Sequence, residues 1–221
     1  MESCTECTHC QHRRYAGLVT SAKPYHHGNL RTALIDAGAE LARANGQDGV
    51  VLREVARRTG VSHNAAYRHF ADRDELLGEI ASLAGAQLEQ AMLQRLDEVV
   101  ETDPAERAMA RLRAVGRAYV EFALAEPGLF NVAFCKREPG APDPLEDAAA
   151  YALLGRILDE LVSAGTLSPE GRLGADVACW AAVHGLSVLL LDGPLGHLPP
   201  EGREGAIAKV IATVERGITG S

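Results

Sequence analysis

Three observations predict an all-α fold. Apolar residues recur at three- and four-residue steps through most of the chain, the period of one helix face. No stretch alternates apolar and polar residues as a half-buried strand would. The breaks between periodic stretches are helix stops and starts: Asn45-Gly46, Thr59-Gly60, Asp103-Pro104 and Ser168-Pro169. The chain has 221 residues, 47% of them hydrophobic and 24% charged. That is ordinary globular composition, enough for one or two cores. It excludes a disordered acidic tail protein, a collagen-like fibre and a disulfide-dense mini-domain.

Residues 1–24 carry no period and read as a tail. The first helix starts at Leu30, with Asn29 as N-cap, and places Leu34, Ala37 and Leu41 on one face. Asn45-Gly46 stops it. A short helix over about 52–59 aligns Leu52, Val55 and Ala56 and ends at Gly60. Ser62 is a natural N-cap for a second short helix, His63 to Phe70. Asp72 caps a long helix over about 73–96, with Leu76, Leu77, Ile80, Leu83, Leu88 and Leu93 expected inside. Helices follow at about 105–125 and 145–164, with Leu129, Phe130, Val132 and Phe134 between them and a proline-rich loop over 137–144. Ser168-Pro169 opens a helix expected to run to Leu191, and a last helix spans about 203–217. The longest apolar run, Val177 to Leu191, is interrupted by His184 and too short for the ~20 residues of a membrane span. No apolar stretch follows Arg13-Arg14, so no secretory signal is expected and the protein reads as cytoplasmic.

The net charge of −8 is unevenly spread. Residues 81–221 hold 12 Lys+Arg and 20 Asp+Glu, which already accounts for it. Between Leu52 and Arg73 the balance is +3, from Arg53, Arg57, Arg58, Arg68 and Arg73 against Glu54 and Asp72. A local basic patch suits phosphate contact, although a solvated polar face has the same charge. The spacing says more. Two short helices joined by Thr59-Gly60-Val61-Ser62 match a helix-turn-helix, with Gly60 supplying the turn. The second helix would then present Ser62, His63, Asn64 and Ala65 to base edges, with Tyr67 and His69 within reach of phosphates.

The stretch from Leu52 to Leu77 resembles the DNA-binding domain of the tetracycline-repressor (TetR) family. The likeness rests on Gly60-Val61-Ser62, Tyr67-Arg68-His69-Phe70, Arg73 and Leu76-Leu77. The family usually has Lys where Arg73 stands, at a phosphate contact, and often Pro where Ala66 stands. Pro24 to Arg31 and Trp180-Ala181-Ala182-Val183-His184-Gly185-Leu186 resemble a subgroup named for a Trp-His-Gly (WHG) C-terminal domain. The likeness covers roughly residues 24–193. It implies a helix-turn-helix DNA-binding domain over 25–72 and a C-terminal ligand-binding and dimerisation domain over 73–221. It also implies a homodimer through the last two helices, a pseudo-palindromic double-stranded operator, and release by an unidentified small-molecule effector. Tyr119, Phe122, Phe130, Phe134, Trp180 and His184 are candidate pocket residues, though aromatics at helical spacing also pack as plain core.

Cys4, Cys7, Cys10 and His12 have metal-ligand chemistry at short spacing. No apolar shell surrounds them, so no metal is assigned. A metal- or thiol-responsive tail and a mis-assigned start remain the alternatives. No phosphate-binding loop, dinucleotide glycine pattern, HExxH or nucleophile elbow is present, and no enzymatic activity is expected.

Overall fold

The computed structural model describes residues 30–134 and 149–220. Among them every regular element is helical. Helix α1 (Leu30–Asn45) buries Leu34, Leu41 and Ala42 and ends at Gly46, whose φ is +66°. One 3-10 turn (Gln47–Gly49) leads to α2 (Leu52–Arg58) and α3 (His63–Tyr67). Gly60, at φ +71°, turns the chain between them, and the Val61 amide closes the turn on the Ala56 carbonyl at 3.0 Å. Helix α3 ends sooner than the sequence pattern suggests. Phe70 leaves the helical path and is wholly buried in the head core. Asp72 then caps α4 (Arg73–Asp97) by accepting from the Glu75 amide at 2.8 Å.

Helix α4 belongs to two cores. Leu76, Ile80, Ala81 and Ala84 pack with α1–α3. Leu88, Met92 and Leu96 pack with the helices that follow. Leu93, expected inside, is 37% exposed. It lies five residues beyond Leu88, and five residues turn a helix well off one face, whereas Met92 and Leu96 hold the i+4 line.

The second core is built around α5 (Pro104–Ala125). Asp103 caps it through the amides of Ala105 and Glu106, and Pro104 occupies the first turn. Around α5 stand α7 (Ala149–Ser163), α9 (Ala175–Leu191) and α10 (Pro200–Thr219). The helix expected from Ser168 to Leu191 is two. A single turn, α8 (Pro169–Arg172), ends at Leu173, and Gly174 takes φ +74° before α9 begins. That left-handed step re-aims the chain.

Between the two cores lies α6 (Pro127–Ala133). Leu129, Val132 and Ala133 are buried in the head core, while Phe130 belongs to the other. Burying a Leu or Val side chain contributes ~1.5–3 kcal/mol. So α6 supplies a substantial part of the head's stability from far along the sequence. Arg43 of α1 meets Glu126 at 2.8 Å at the same junction.

Candidate nucleic-acid interface and core cavity

Ser62 starts α3 by accepting from the Ala65 amide at 3.2 Å. The helix then exposes His63, Asn64, Tyr67 and Arg68 on its outer face, with Tyr67 45% exposed. Ala65 and His69 are half-buried. The His63 and Tyr67 rings meet edge-on, 4.4 Å between centroids, which steadies two long side chains in one orientation. Helix α3 is held from behind by Ala66 and Phe70, both fully buried. Arg31 reinforces this from α1. Its guanidinium lies 4.9 Å over the Phe70 ring and pairs with Glu79 at 3.0 Å.

The basic residues divide by what they touch. Arg57 and Arg58 both pair with Glu54, at 2.6 and 3.3 Å. Hydrogen bonding from Arg57 holds the Glu54 carboxyl down at about 2. The side chains of Arg53 and Arg68 are exposed and make no ion pair or hydrogen bond among the described residues. Arg73 is half-buried, and its guanidinium donates to two carbonyls. Nε reaches Val50 at 2.8 Å and a terminal nitrogen reaches Gln47 at 2.7 Å. Asp48 and Asp74 stand 3.9 Å from it. Its fork therefore pins the α1–α2 connection to the start of α4, a role that sequence spacing does not reveal.

The six aromatic and histidine candidates lie in the second core. Tyr119 and Trp180 line a cavity of about 30 Å³ together with Leu112, Val183, Ile211 and Glu215. That is room for one or two waters. Phe130, Phe134 and His184 instead stack around Tyr119, with centroids 5.8, 6.0 and 6.3 Å from it. Phe122 is buried in the same core and does not line the cavity. The Tyr119 hydroxyl is 2.9 Å from His184 Nδ1. Burial pushes the Tyr119 phenol far above its usual range and lowers the His184 imidazole. A protonated phenol donating to Nδ1 of a neutral ring, with the ring proton on Nε2, satisfies both. Cys179 also lines the cavity. Burial pushes its thiol up to about 11, so it is a neutral wall group. Sequence reasoning missed Glu215 and Cys179, because only the packing of α9 and α10 on α5 brings them there.

Among the described residues no three His, Cys, Asp or Glu come together as metal ligands. Cys4, Cys7, Cys10 and His12 lie outside those residues. Within the described chain no helix is long and apolar enough to cross a membrane.

Two family models match. Residues 34–80 match the bacterial regulatory proteins of the tetR family, and residues 112–214 match the tetracyclin repressor-like C-terminal domain. An uncharacterized HTH-type transcriptional regulator of Bacillus subtilis, YobS, is 21% identical over 163 residues, 74% of this chain and 80% of that one. A Rhodococcus protein of unknown function is 33% identical in its solved structure, with a TM-score of 0.73 over 89% of this chain and 98% of that one. The fold is shared with a TetR variant from Acinetobacter baumannii solved in complex with minocycline, 18% identical, TM-score 0.54, covering 89% of this chain and 96% of that one. A helix-turn-helix head, a helical C-terminal domain and two matching family models together place this chain in the TetR family of transcriptional regulators.

Proposed function

We propose that the protein is a cytoplasmic, homodimeric repressor that binds a pseudo-palindromic operator and lets go of it when a small molecule enters the second core. The observation that carries the DNA reading is the outer face of α3, where Asn64, His63, Tyr67 and Arg68 stand exposed on a helix pinned from behind. Asn64 can bond adenine through two hydrogen bonds, and the N-terminal end of such a helix enters the major groove. Ser62 and Ala65 fix and space that end. Arg53, Arg68, Tyr67 and His69 take phosphates, and Arg73 pins the α1–α2 connection to the start of α4.

One head makes few contacts, so two are needed, set about one helical turn of DNA apart. The proposed dimer joins α9 and α10 to their copies. In support, α9 leaves Val177, Val188 and Leu189 exposed at 61, 41 and 43%, with Ala181 between them. Exposed apolar residues along one helix face mark an association surface. The subgroup assignment rests on Trp180, His184 and Gly185.

The proposed effector has to make its own room. The cavity is far below the ~300 Å³ of a ligand pocket. A ligand must therefore part α5 from α9 or α10, and α4 and α6 carry that displacement to the head. The test is fluorescence anisotropy of the full chain on DNA upstream of its own gene. Specific binding at ~150 mM salt that fails in an Asn64→Ala, Tyr67→Ala double variant is expected. Binding that is salt-sensitive and indifferent to both changes overturns the reading.

A further inference from the structure

The cavity beside α5, α9 and α10 is walled by Leu112, Val115, Val183 and Ile211 among others, and Glu215 is the one carboxylate on it among the described residues. The Glu215 side chain is only 18% exposed. Its Oε1 is buried and accepts no hydrogen bond from the described residues. Arg113 Nε stands 2.9 Å away but donates its hydrogen to the Met109 carbonyl, so the pair is a charge contact with an unused acceptor. Burial also pushes the Glu215 carboxyl above its usual range. An acceptor that has lost its water and gained no donor is the strongest polar feature an entering molecule would meet.

We propose, resting on the regulator reading above, that the effector is an apolar molecule carrying one protonated amine that donates to Glu215 Oε1. A charged donor makes the stronger bond to a carboxylate. An acid of the same shape would bring like charges together in an apolar site. Arg113 is half exposed and can turn out to water as the amine enters. The acidic balance of residues 81–221, 12 basic against 20 acidic, draws cations toward this half of the molecule.

Three probes with one apolar body separate the chemistries: 4-phenylbutylamine, 4-phenylbutan-1-ol and 4-phenylbutanoate. Calorimetry on the full chain, without DNA, should show the amine binding tightest, the alcohol more weakly and the acid not at all at millimolar concentration. Glu215→Gln should weaken the amine about tenfold or more and leave the alcohol within about threefold. Gly116 offers a second variant. A Cβ there meets nothing closer than 3.6 Å, so Gly116→Ala should fold, narrow the cavity and weaken binding of all three. The acid binding as tightly as the amine, an unchanged amine affinity in Glu215→Gln, or no binding by any probe overturns the proposal. Release from DNA is read separately. Glu215-dependent amine binding that leaves the DNA complex intact upholds the ligand assignment and overturns the effector reading.

Discussion

Gly128, in the first turn of α6, lies directly against the carbonyl of Ala42 in α1, so close that a Cβ would collide with it. The obstacle is backbone, which cannot swing aside as a side-chain tip would. Two helices from different parts of the chain thus meet at a point that only glycine permits. The neighbouring Arg43–Glu126 pair, both about a third exposed, adds little by itself.

Gly128→Ala should therefore cost ~1–3 kcal/mol of stability by overpacking and loosen the head from the body. Urea unfolding measures the first. The second shows as faster proteolysis within residues 30–84 of the native protein. Full stability in Gly128→Ala would show that the junction relaxes freely and is no rigid coupling point.

Arg73→Lys tests whether the guanidinium fork is structural. Lys cannot donate to the Gln47 and Val50 carbonyls together in the same plane. A loss of ~1 kcal/mol is expected in thermal unfolding, discounted for partial exposure, with the salt dependence of DNA binding unchanged. If Arg73 also neutralises a phosphate, Arg73→Ala lowers the salt slope by about 1. A variant with native stability and a reduced slope would make Arg73 a phosphate ligand alone.

His184 gives a pH dependence with a definite sign. Burial holds its imidazole below the ordinary ~6.5. The unfolded chain therefore binds the proton more readily than the folded one. Stability contributed by the neutral ring is present above ~6.5 and is lost as pH falls toward the lowered folded value. Protonation would also remove the acceptor that the Tyr119 hydroxyl uses. The melting temperature should drop between pH 7 and pH 5, and His184→Gln should flatten that part of the profile. An identical slope in the variant would assign the loss to other groups.

The local features were legible in the sequence and the long-range ones were not. Helix α1 ends at Asn45 as its stop residues indicate, its expected cap Asn29 lies outside the described residues, and the turn at Gly60 and the cap at Ser62 are both in place. These depend on neighbours a few residues away. The same locality exposed the α3 face. The break at Gly174 is not legible locally because glycine is also tolerated inside helices, and the left-handed step is set by how α8 and α9 pack. Leu93 departs from its expected face because apolar identity alone does not fix the angle a residue takes around the helix. Glu215 looks in sequence like any solvated helix charge. Only the approach of α10 to α5 reveals it facing apolar walls.

Helix α6 completes the head core with Leu129, Val132 and Ala133, about 50 residues beyond the last head residue of α4, Ala84. On the ribosome the head therefore has all its other parts before it has its keystone. At ~5–20 residues per second the gap lasts ~2–10 s, during which Leu34, Ile80 and Phe70 lack part of their cover. A nascent chain stalled before residue 127 should hold an open, chaperone-prone head. The outer face of α3 thus becomes firm only after synthesis has entered the C-terminal half of the protein.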